Sequence, residues 1–474
     1  MLELSALELS AAIKAKKFSV TEAVNAYIES IEKNDSKHNT FITITKEEAL
    51  VRAKEVQSLI DKGETLSPLA GVPITLKDNI STKGIKTTCA SKMLENYTPV
   101  FNATVVDKLE QAGMIVVGKL NMDEFSMSGS GDNASAVAVA SAIAVGEIPM
   151  TLGSDTGGSI RQSSAFCGIT GIKPTYGAVS RYGLIANASS LDQIGPMGKN
   201  IDDCAALLAI IAGQDNMDGT CVLEKPFEFN AAARERLDGV KICLPENYLQ
   251  SGVAKEFEAA GASVDSINIE KFGMPLAEHF LPAWYIIACA EAASNLARYD
   301  GLKFGYRSTN AKTLNELYRL SRSEGFGAEV KRRIMFGSFV TSSGNYDKYY
   351  RKALQVRSLV KNAYAKLFET YDIILSPVTP TVTPKLGENT GLYMGDIFNA
   401  PVNLAGLPAI ALPCGLDSQG LPIGFQLIGN AFSEAKLIEA ARVYQKKTKH
   451  HSIIKDNNFA FFASSAVEKD GVLS

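Results

Sequence analysis

Apolar and polar residues follow a helical pattern near the start of the chain. Ser5 with Glu8 and Ser19 with Glu22 have the spacing of capping boxes, in which a hydroxyl and a carboxylate bind the free backbone N–H groups at the start of a helix. Two helices are therefore predicted to begin at these serines. The apolar face of the second helix consists of Val20, Val24, Tyr27, Ile28 and Ile31.

Beyond Gly71 the pattern changes to short apolar runs separated by Gly, Pro, Asp and Asn, which is typical of strands and turns. Helical stretches, 103–112 and 202–212 among them, lie between these runs. Strands that alternate with helices predict the α/β class, here a large mixed β-sheet core covered by helices. A turn at 417–420 predicts a hairpin over 412–428. The strand-like runs are 72–76, 114–117, 240–244, 371–375, 409–412 and 423–428.

Residues 234–347 differ from the rest because they carry more charge and a longer helical periodicity. We expect them to form a helical insertion or subdomain on the α/β core rather than an independent domain. The core then consists of an N-terminal part, 1–233, and a C-terminal part, 348–455. The segment 456–474 has no clear periodicity and is expected to fray.

Charge and composition exclude several classes of protein. The 48 Lys and Arg residues against 51 Asp and Glu give a net charge of −3, so no overall basic field would hold nucleic acid. The chain is 46% hydrophobic and 21% charged, which is ordinary for a globular protein and unlike a disordered one. The apolar run 134–145 is too short to span a bilayer and predicts a buried helix, so we expect no contact with a membrane.

The seven cysteines are scattered and show neither a CxxC pair nor zinc-site spacing. We expect free thiols in the reducing cytoplasm, and no metal ligands. The start of the chain has no basic region leading into an apolar core, so a signal peptide is not expected. These features together predict a cytoplasmic protein that binds no cofactor of its own.

The first candidate for chemistry is the stretch GSDTGGSIRQ, which contains Ser159. Two glycines before Ser159 would let the backbone turn sharply and direct N–H groups into one space, which suits an oxyanion with Ser159 as the nucleophile. A phosphate-binding loop fits less well because no lysine follows the glycines, and a plain structural turn remains open. The chain has four histidines, none near a glycine-rich turn, so a base other than histidine is needed.

Lys77 is the second candidate, because it ends the apolar run 72–76. A lysine on an apolar strand is unusual, since a buried ammonium is unfavourable unless it is paired or neutral. Burial lowers the pKa of a lysine, which is how a lysine becomes a general base, and Ser with Lys is a known alternative to Ser with His. The alternative interpretation is a surface lysine on an edge strand.

The motifs around these two residues resemble the amidase signature family. GVPITLKDNI contains Lys77, GSDTGGSIRQ contains Ser159, and FCGITGIKPTYG follows. Further motifs are similar to one branch of that family, the glutamine-hydrolysing subunits of tRNA-dependent amidotransferases. These motifs are NMDEF, SRYGLIANASSLDQIGPM, YIIACAEAASNLARYDG, SEGFGAEVKRRI and PVNLAGLPAI. The resemblance implies the amidase signature fold and a Ser–Ser–Lys triad that hydrolyses amides.

Residue by residue, the resemblance makes Lys77 the base and Ser159 the nucleophile. It places Thr156, Gly157 and Gly158 in the oxyanion loop.

The resemblance also implies how glutamine would be bound. Asp396, in MGDIFNAPVNLAG, matches the carboxylate that holds the α-amino group. Arg333, in KRRI, matches the partner of the α-carboxylate, with neighbouring Arg332 as the alternative. A zwitterionic amino acid requires one anion and one cation within reach, so this pair makes physical sense.

The third triad member is a bridging serine, which the family places in a glycine-rich run that this chain lacks. The family's spacing before Ser159 gives Ser135, whereas a gapped comparison gives Ser130. Because the run is missing, a catalytically impaired paralogue with a scaffolding role is one alternative. A stand-alone amidase acting on another small amide is the other.

The resemblance predicts a glutaminase subunit that supplies ammonia to a complex with two other subunits. The complex would use ATP and Mg²⁺, both bound by a partner subunit, to amidate Glu or Asp misacylated on tRNA. The tRNA would be held mainly by that partner, which agrees with the net charge of −3. The sequence leaves the choice between Glu-tRNA and Asp-tRNA open.

Overall fold

The computed structural model describes residues 1–64, 66–127, 134–222, 227, 234–246, 251–384 and 394–455. Within these residues, eleven strands form one sheet in the order β1-β3-β2-β4-β6-β5-β10-β11-β9-β7-β8. The strands are Phe41–Ile44 (β1), Pro73–Lys77 (β2), Ile115–Leu120 (β3), Met150–Asp155 (β4), Thr170–Lys173 (β5), Gln193–Gly198 (β6), Lys241–Pro245 (β7), Ser263–Ile267 (β8), Ile373–Pro377 (β9), Ala409–Leu416 (β10) and Pro422–Gly429 (β11).

Helices pack around this sheet. In the described part of the chain they are Ala6–Lys14 (α1), Val20–His38 (α2), Lys46–Asp61 (α3), Thr104–Gln111 (α4), Ala134–Ala144 (α5), Ser159–Cys167 (α6), Ile201–Ile211 (α7), Ser251–Ala259 (α8), Ala277–Asn295 (α9), Leu314–Gly325 (α10), Ala328–Thr341 (α11), Tyr350–Phe368 (α12), Ala400–Ala405 (α13) and Glu434–Thr448 (α14). The predicted α/β class, a mixed sheet covered by helices, is confirmed.

The direction of the strands determines where side chains can converge. Strand β2 runs parallel to both β3 and β4, so the three strands end at the same edge of the sheet. β2 ends at Lys77, and β4 leads through a short turn into α6. Because ligands of α/β sheets bind beyond the carboxyl ends of parallel strands, this edge is where a site is expected.

Helix α6 is held in the middle of the molecule. It packs on β4, β5, β10 and β11 on one side and on α5 on the other. Val139 of α5 and Ile160 of α6 belong to the same apolar cluster, and both are almost fully buried. The predicted buried helix over 134–145 is thus confirmed as α5, and no helix in the described ranges is long and apolar enough to cross a membrane.

Several local predictions agree with the structure. Both capping boxes are present, since Ser5 and Ser19 each accept the N–H of the glutamate three residues on. The hairpin predicted over 412–428 is formed by β10 and β11.

The region predicted as a helical insertion, 234–347, differs from the expectation in its first part. Its strands β7 and β8 pair in parallel at the end of the main sheet, and β7 also pairs with β9. Most of its helical portion is therefore 277–341, from α9 to α11. β7 matches the strand-like run predicted over 240–244, whereas β8 was not predicted, because an edge strand exposes much of its surface and can be as polar as a helix. The tail 456–474 lies outside the described residues.

Candidate active site

Lys77 lies at the carboxyl end of β2 with only 5% of its surface exposed. Burial lowers the pKa of its ammonium, while Asp123, Asp155 and Asp192 act in the opposite direction. Its Nζ donates to the carbonyl oxygen of Ser154, the residue before the last of β4, at 3.4 Å. The amine is sheltered from solvent, as a lysine that acts as a base requires.

The neighbouring strand carries a second buried lysine, whose amine has more partners. Lys119 of β3 donates to the Ile80 carbonyl at 2.7 Å and to the Thr87 hydroxyl at 2.9 Å, and it forms an ion pair with Asp78 at 3.4 Å. Among the described residues, Lys77 has a single long hydrogen bond instead. Burial lowers the pKa of both lysines, and Lys77 has fewer hydrogen-bonded partners than Lys119 to oppose that effect.

Ser159 is the first residue of α6 and follows a turn that only glycine can make. Gly158 has φ of 140°, a region that side chains rarely adopt. A Cβ on Gly157 would overlap the indole ring of Trp284, which belongs to α9. The turn thus depends on both glycines, and it places Ser159 at a helix N-terminus, where backbone N–H groups favour negative charge.

The carboxylate of Asp155 fixes this turn through hydrogen bonds. It accepts the N–H of Gly158 at 2.9 Å and two hydrogen bonds of 3.1 Å from the guanidinium of Arg161. Burial by itself would raise the pKa of Asp155, but the adjacent Arg161 lowers it below the ordinary value. Asp155 is therefore a permanent anion that fixes the start of α6.

The backbone N–H groups of the predicted oxyanion loop have different partners. The N–H of Gly158, a residue of that loop, donates to Asp155. No group in the described part of the chain accepts the N–H of Gly157 or of Ser159. The sequence could not reveal this because the direction of each amide depends on the turn geometry.

Thr156 is fixed by a second buried carboxyl group. Its hydroxyl donates to Asp192 at 2.7 Å, and the indole N–H of Trp284 donates to its carbonyl at 3.1 Å. Asp192 also accepts the backbone N–H groups of Asn187 and Ala188. Burial raises the pKa of Asp192 to about 6.

The predicted bridging serines lie next to this turn in the chain. Ser135 is in the first turn of α5, the helix that packs on α6, and its side chain is not among the described ones. Ser130 lies outside the described residues. Other hydroxyl groups are held near Lys77, because the amide of Asn79 donates to Ser154 at 2.9 Å and to Ser126 at 3.2 Å.

Asp396 lies beside α6. Its carboxylate accepts a hydrogen bond of 2.8 Å from the amide of Gln162, one turn along α6 from Ser159. Burial raises the pKa of Asp396 to about 6, although Gln162 and the positive charge of Arg333 both act to lower it.

The structure distinguishes the two candidate arginines. Arg333 of α11 is 5% exposed, whereas the side chain of Arg332 is 46% exposed. Glu329 accepts hydrogen bonds from both, and the ring of Tyr285 lies 5.5 Å from the Arg333 guanidinium. Arg333 is therefore the buried arginine of the two and the one that acts electrostatically on Asp396.

The described residues contain no group of His, Cys, Asp and Glu that could hold a metal ion. What the site offers is therefore a sheltered amine, a hydroxyl on a glycine turn, and an acid and an arginine beside it.

The chain as a whole matches a known family. Residues 22–438 match the family model described as Amidase, and the chain belongs to that family.

The relatives are more specific. The chain is 50% identical to the A subunit of Glutamyl-tRNA(Gln) amidotransferase from Agathobacter rectalis, over 94% of each chain. It is 47% identical to the protein of the same name from Lachnoclostridium phytofermentans, over 94% of this chain and 98% of the relative.

Solved structures agree with this assignment. A crystal structure of the A subunit of Glutamyl-tRNA(Gln) amidotransferase from Thermotoga maritima is 35% identical, with a TM-score of 0.73 over 94% of this chain and 96% of that one. A bacterial aryl acylamidase of the amidase signature enzymes superposes with a TM-score of 0.82 over 96% of this chain and 99% of that one. At 20% identity the second comparison supports the fold alone.

Sequence reasoning missed several residues that support the site. Asp155, Arg161 and Gln162 belong to the same GSDTGGSIRQ motif as Ser159, so they could have been singled out as charged or polar positions in a candidate loop. Tyr285 is the first residue of YIIACAEAASNLARYDG, and Trp284 directly precedes it. No local pattern connects either residue with Ser159.

Proposed function

We propose that this protein is a glutaminase subunit of a tRNA-dependent amidotransferase, hydrolysing glutamine to supply ammonia. The relatives at 50% and 47% identity are both named as the A subunit of such an enzyme. The single observation that carries the proposal is the buried amine of Lys77, at the end of the strand beside the one that leads to Ser159.

In the proposed mechanism Lys77 is the base and Ser159 the nucleophile. The neutral amine takes the proton of the Ser159 hydroxyl through a bridging serine, Ser135 or Ser130, while Ser159 Oγ attacks the side-chain amide carbon of glutamine. The same proton then passes to the departing nitrogen, so that ammonia leaves. Water attacks the resulting acyl-enzyme and releases glutamate.

The oxyanion that forms during the attack needs hydrogen-bond donors fixed in advance. We assign this role to the loop of Thr156 and Gly157, with the N–H groups of Gly157 and Ser159 as donors. Gly158 contributes through its conformation, since its own N–H holds Asp155.

Glutamine would be oriented by its charged ends. Asp396 would accept the α-ammonium group and Arg333 would bind the α-carboxylate. The positive charge of Arg333 acts on the carboxyl group of Asp396, so the two side chains are near each other. This suits a zwitterion whose two charges are separated by one carbon atom.

We further propose that the chain works with two other subunits in the cytoplasm. A partner would bind ATP and Mg²⁺ and hold most of the misacylated tRNA, Glu-tRNA(Gln) with or without Asp-tRNA(Asn). The net charge of −3 supports this division of work.

A catalytically impaired scaffold remains a second candidate because the glycine-rich run with the bridging serine is missing. A stand-alone amidase is disfavoured, since Asp396 and Arg333 suit an amino acid rather than a simple amide.

Ammonia release from glutamine tests the proposal. The protein, assembled with its partner subunits, is expected to release ammonia from glutamine far faster than from simple aliphatic amides, and Ser159→Ala is expected to abolish that release. An acylating glutamine analogue should label Ser159 only when Lys77 is present. A folded protein that is never labelled would establish the scaffold instead, and release that survives Ser159→Ala would refute the assigned nucleophile.

A further inference from the structure

A groove of about 1050 Å³ lies outside the site described above. Its walls come mainly from three segments, 92–97, 181–186 and 303–307, and none of the proposed catalytic or glutamine-binding residues lines it. A cavity of this size is at the upper end of what small ligands occupy.

Positively charged side chains outnumber negatively charged ones in the lining of the groove. Two acidic side chains, Glu95 and Asp218, line it together with five cationic ones: Lys92, Arg181, Arg298, Lys303 and Arg307. Within the described ranges, none of these five forms an ion pair. A local positive surface on a chain of net charge −3 indicates an acidic ligand.

Apolar side chains around the groove are exposed to solvent. Phe304 is 58% exposed and Met217 62%, and Val100, next to the lining residue Phe101, is 84% exposed. The ring of Phe101 contacts that of Tyr182 at 5.4 Å between centroids. Clustered exposed apolar surface of this kind marks interaction sites in soluble proteins.

The loop that presents Phe304 is held in shape before any ligand arrives. The carboxylate of Asp300 accepts the N–H groups of Leu302 and Lys303 at 2.9 Å and that of Phe304 at 3.3 Å. An exposed apolar side chain on a fixed loop loses little freedom on binding, which favours association.

The groove is also connected to the oxyanion loop. Ser189 lines the groove, while the preceding Asn187 and Ala188 donate their N–H groups to Asp192, which in turn holds Thr156. A ligand in the groove would therefore press on the segment that positions the oxyanion loop.

We propose that this groove docks an acidic, partly apolar polypeptide segment of a partner subunit. Aromatic residues, methionine and arginine are the residue types enriched at protein interfaces, and charge complementarity selects the partner. The inference rests on the proposed role as one subunit of a complex.

Charge reversal tests the groove directly. The variant Arg298→Glu/Lys303→Glu/Arg307→Glu and the single variant Phe304→Ala change exposed side chains and should leave the fold intact. Lys33→Glu/Lys54→Glu/Lys62→Glu, on exposed positions of α2 and α3 and after α3, is the matched control. Each is co-expressed with the other subunits of its own complex, and assembly is measured by co-purification and by titration of the purified subunits.

We expect the groove variants to bind the partner subunits about tenfold or more weakly, with the control unchanged and labelling of Ser159 retained in the isolated chain. Groove variants that assemble like the unmutated chain would overturn the inference. So would a loss confined to the binding of a single-stranded RNA oligonucleotide, since that would make the groove an RNA site. Both of these results would leave the proposed subunit role intact. Failure of the unmutated chain to assemble with the other subunits would instead refute the subunit role as well as the inference.

Discussion

Two buried lysines on adjacent strands have different partners. Burial lowers the pKa of both, but Lys119 is bound by a carbonyl, a hydroxyl and a carboxylate, whereas Lys77 has one long hydrogen bond among the described residues. The sequence identified Lys77 because a motif surrounds it, but it offered no reason to separate the two amines. The partners that separate them are distant in the chain.

Replacing Lys77 is expected to separate function from stability. Lys77→Met removes the base, so glutamine hydrolysis should be lost, while the protein should melt at a higher temperature because an apolar side chain replaces a poorly paired amine. Lys77→Arg should be inactive as well, since a guanidinium stays protonated. Thermal melting and ammonia release measure both effects, and an active Lys77→Arg protein would contradict the assignment of the base.

The pKa of Asp396 predicts how glutamine binding depends on pH. The carboxyl group is ionised above about pH 6, so its attraction for the α-ammonium is present above that pH and is lost as the pH falls through it. KM for glutamine should therefore rise by about tenfold per pH unit well below that value. Asp396→Asn should show a high KM with no such pH dependence. A KM that is flat for the unmutated protein would contradict this role.

At the scale of elements, the turn between β4 and α6 controls the site. Its glycines were recognised from the sequence as a sharp turn, because glycine adopts backbone conformations that other residues avoid. What the sequence could not show is that Trp284 of α9 occupies the space where a side chain of Gly157 would lie. The helical portion of 277–341 is thus part of the wall that supports the oxyanion loop.

Gly157→Ala should test this contact. The added Cβ overlaps the Trp284 ring, so we expect a loss of about 1–3 kcal/mol in stability and a displaced, slow Ser159. Gly219→Ala is the control, because a Cβ there meets nothing within 4 Å. The midpoint of urea unfolding and the rate of glutamine hydrolysis measure the outcome. Equal effects of the two substitutions would show that the indole does not confine the turn.

At the scale of the whole molecule, Arg161 joins the N-terminal and C-terminal parts of the core. Its fully buried guanidinium donates to Asp155 of β4, to Gln426 of β11 at 3.0 Å and to Asn403 of α13 at 2.5 Å. The partners in β11 and α13 lie more than two hundred residues away in the chain, so sequence alone gives no sign of this connection.

Arg161→Met should therefore destabilise the entire core. It leaves Asp155 buried without its counter-charge, which costs about 3–5 kcal/mol. The double variant Asp155→Asn/Arg161→Met should lose less stability than the sum of the two single variants, because no unpaired charge remains. Urea unfolding followed by both fluorescence and circular dichroism measures these losses, and strict additivity would refute the coupling.

The sequence by itself determined the α/β class, the first two helices, the β10–β11 hairpin and the motifs that carry Lys77 and Ser159. These features are local, since periodicity, capping residues and glycine turns act over a few neighbouring positions. Only the tertiary structure decided that Arg333 rather than Arg332 is buried, that Asp396 lies beside Gln162, and that the N–H of Gly158 binds Asp155. Those outcomes depend on which distant segments the sheet brings together, and burial and partner geometry do not exist until the chain has folded.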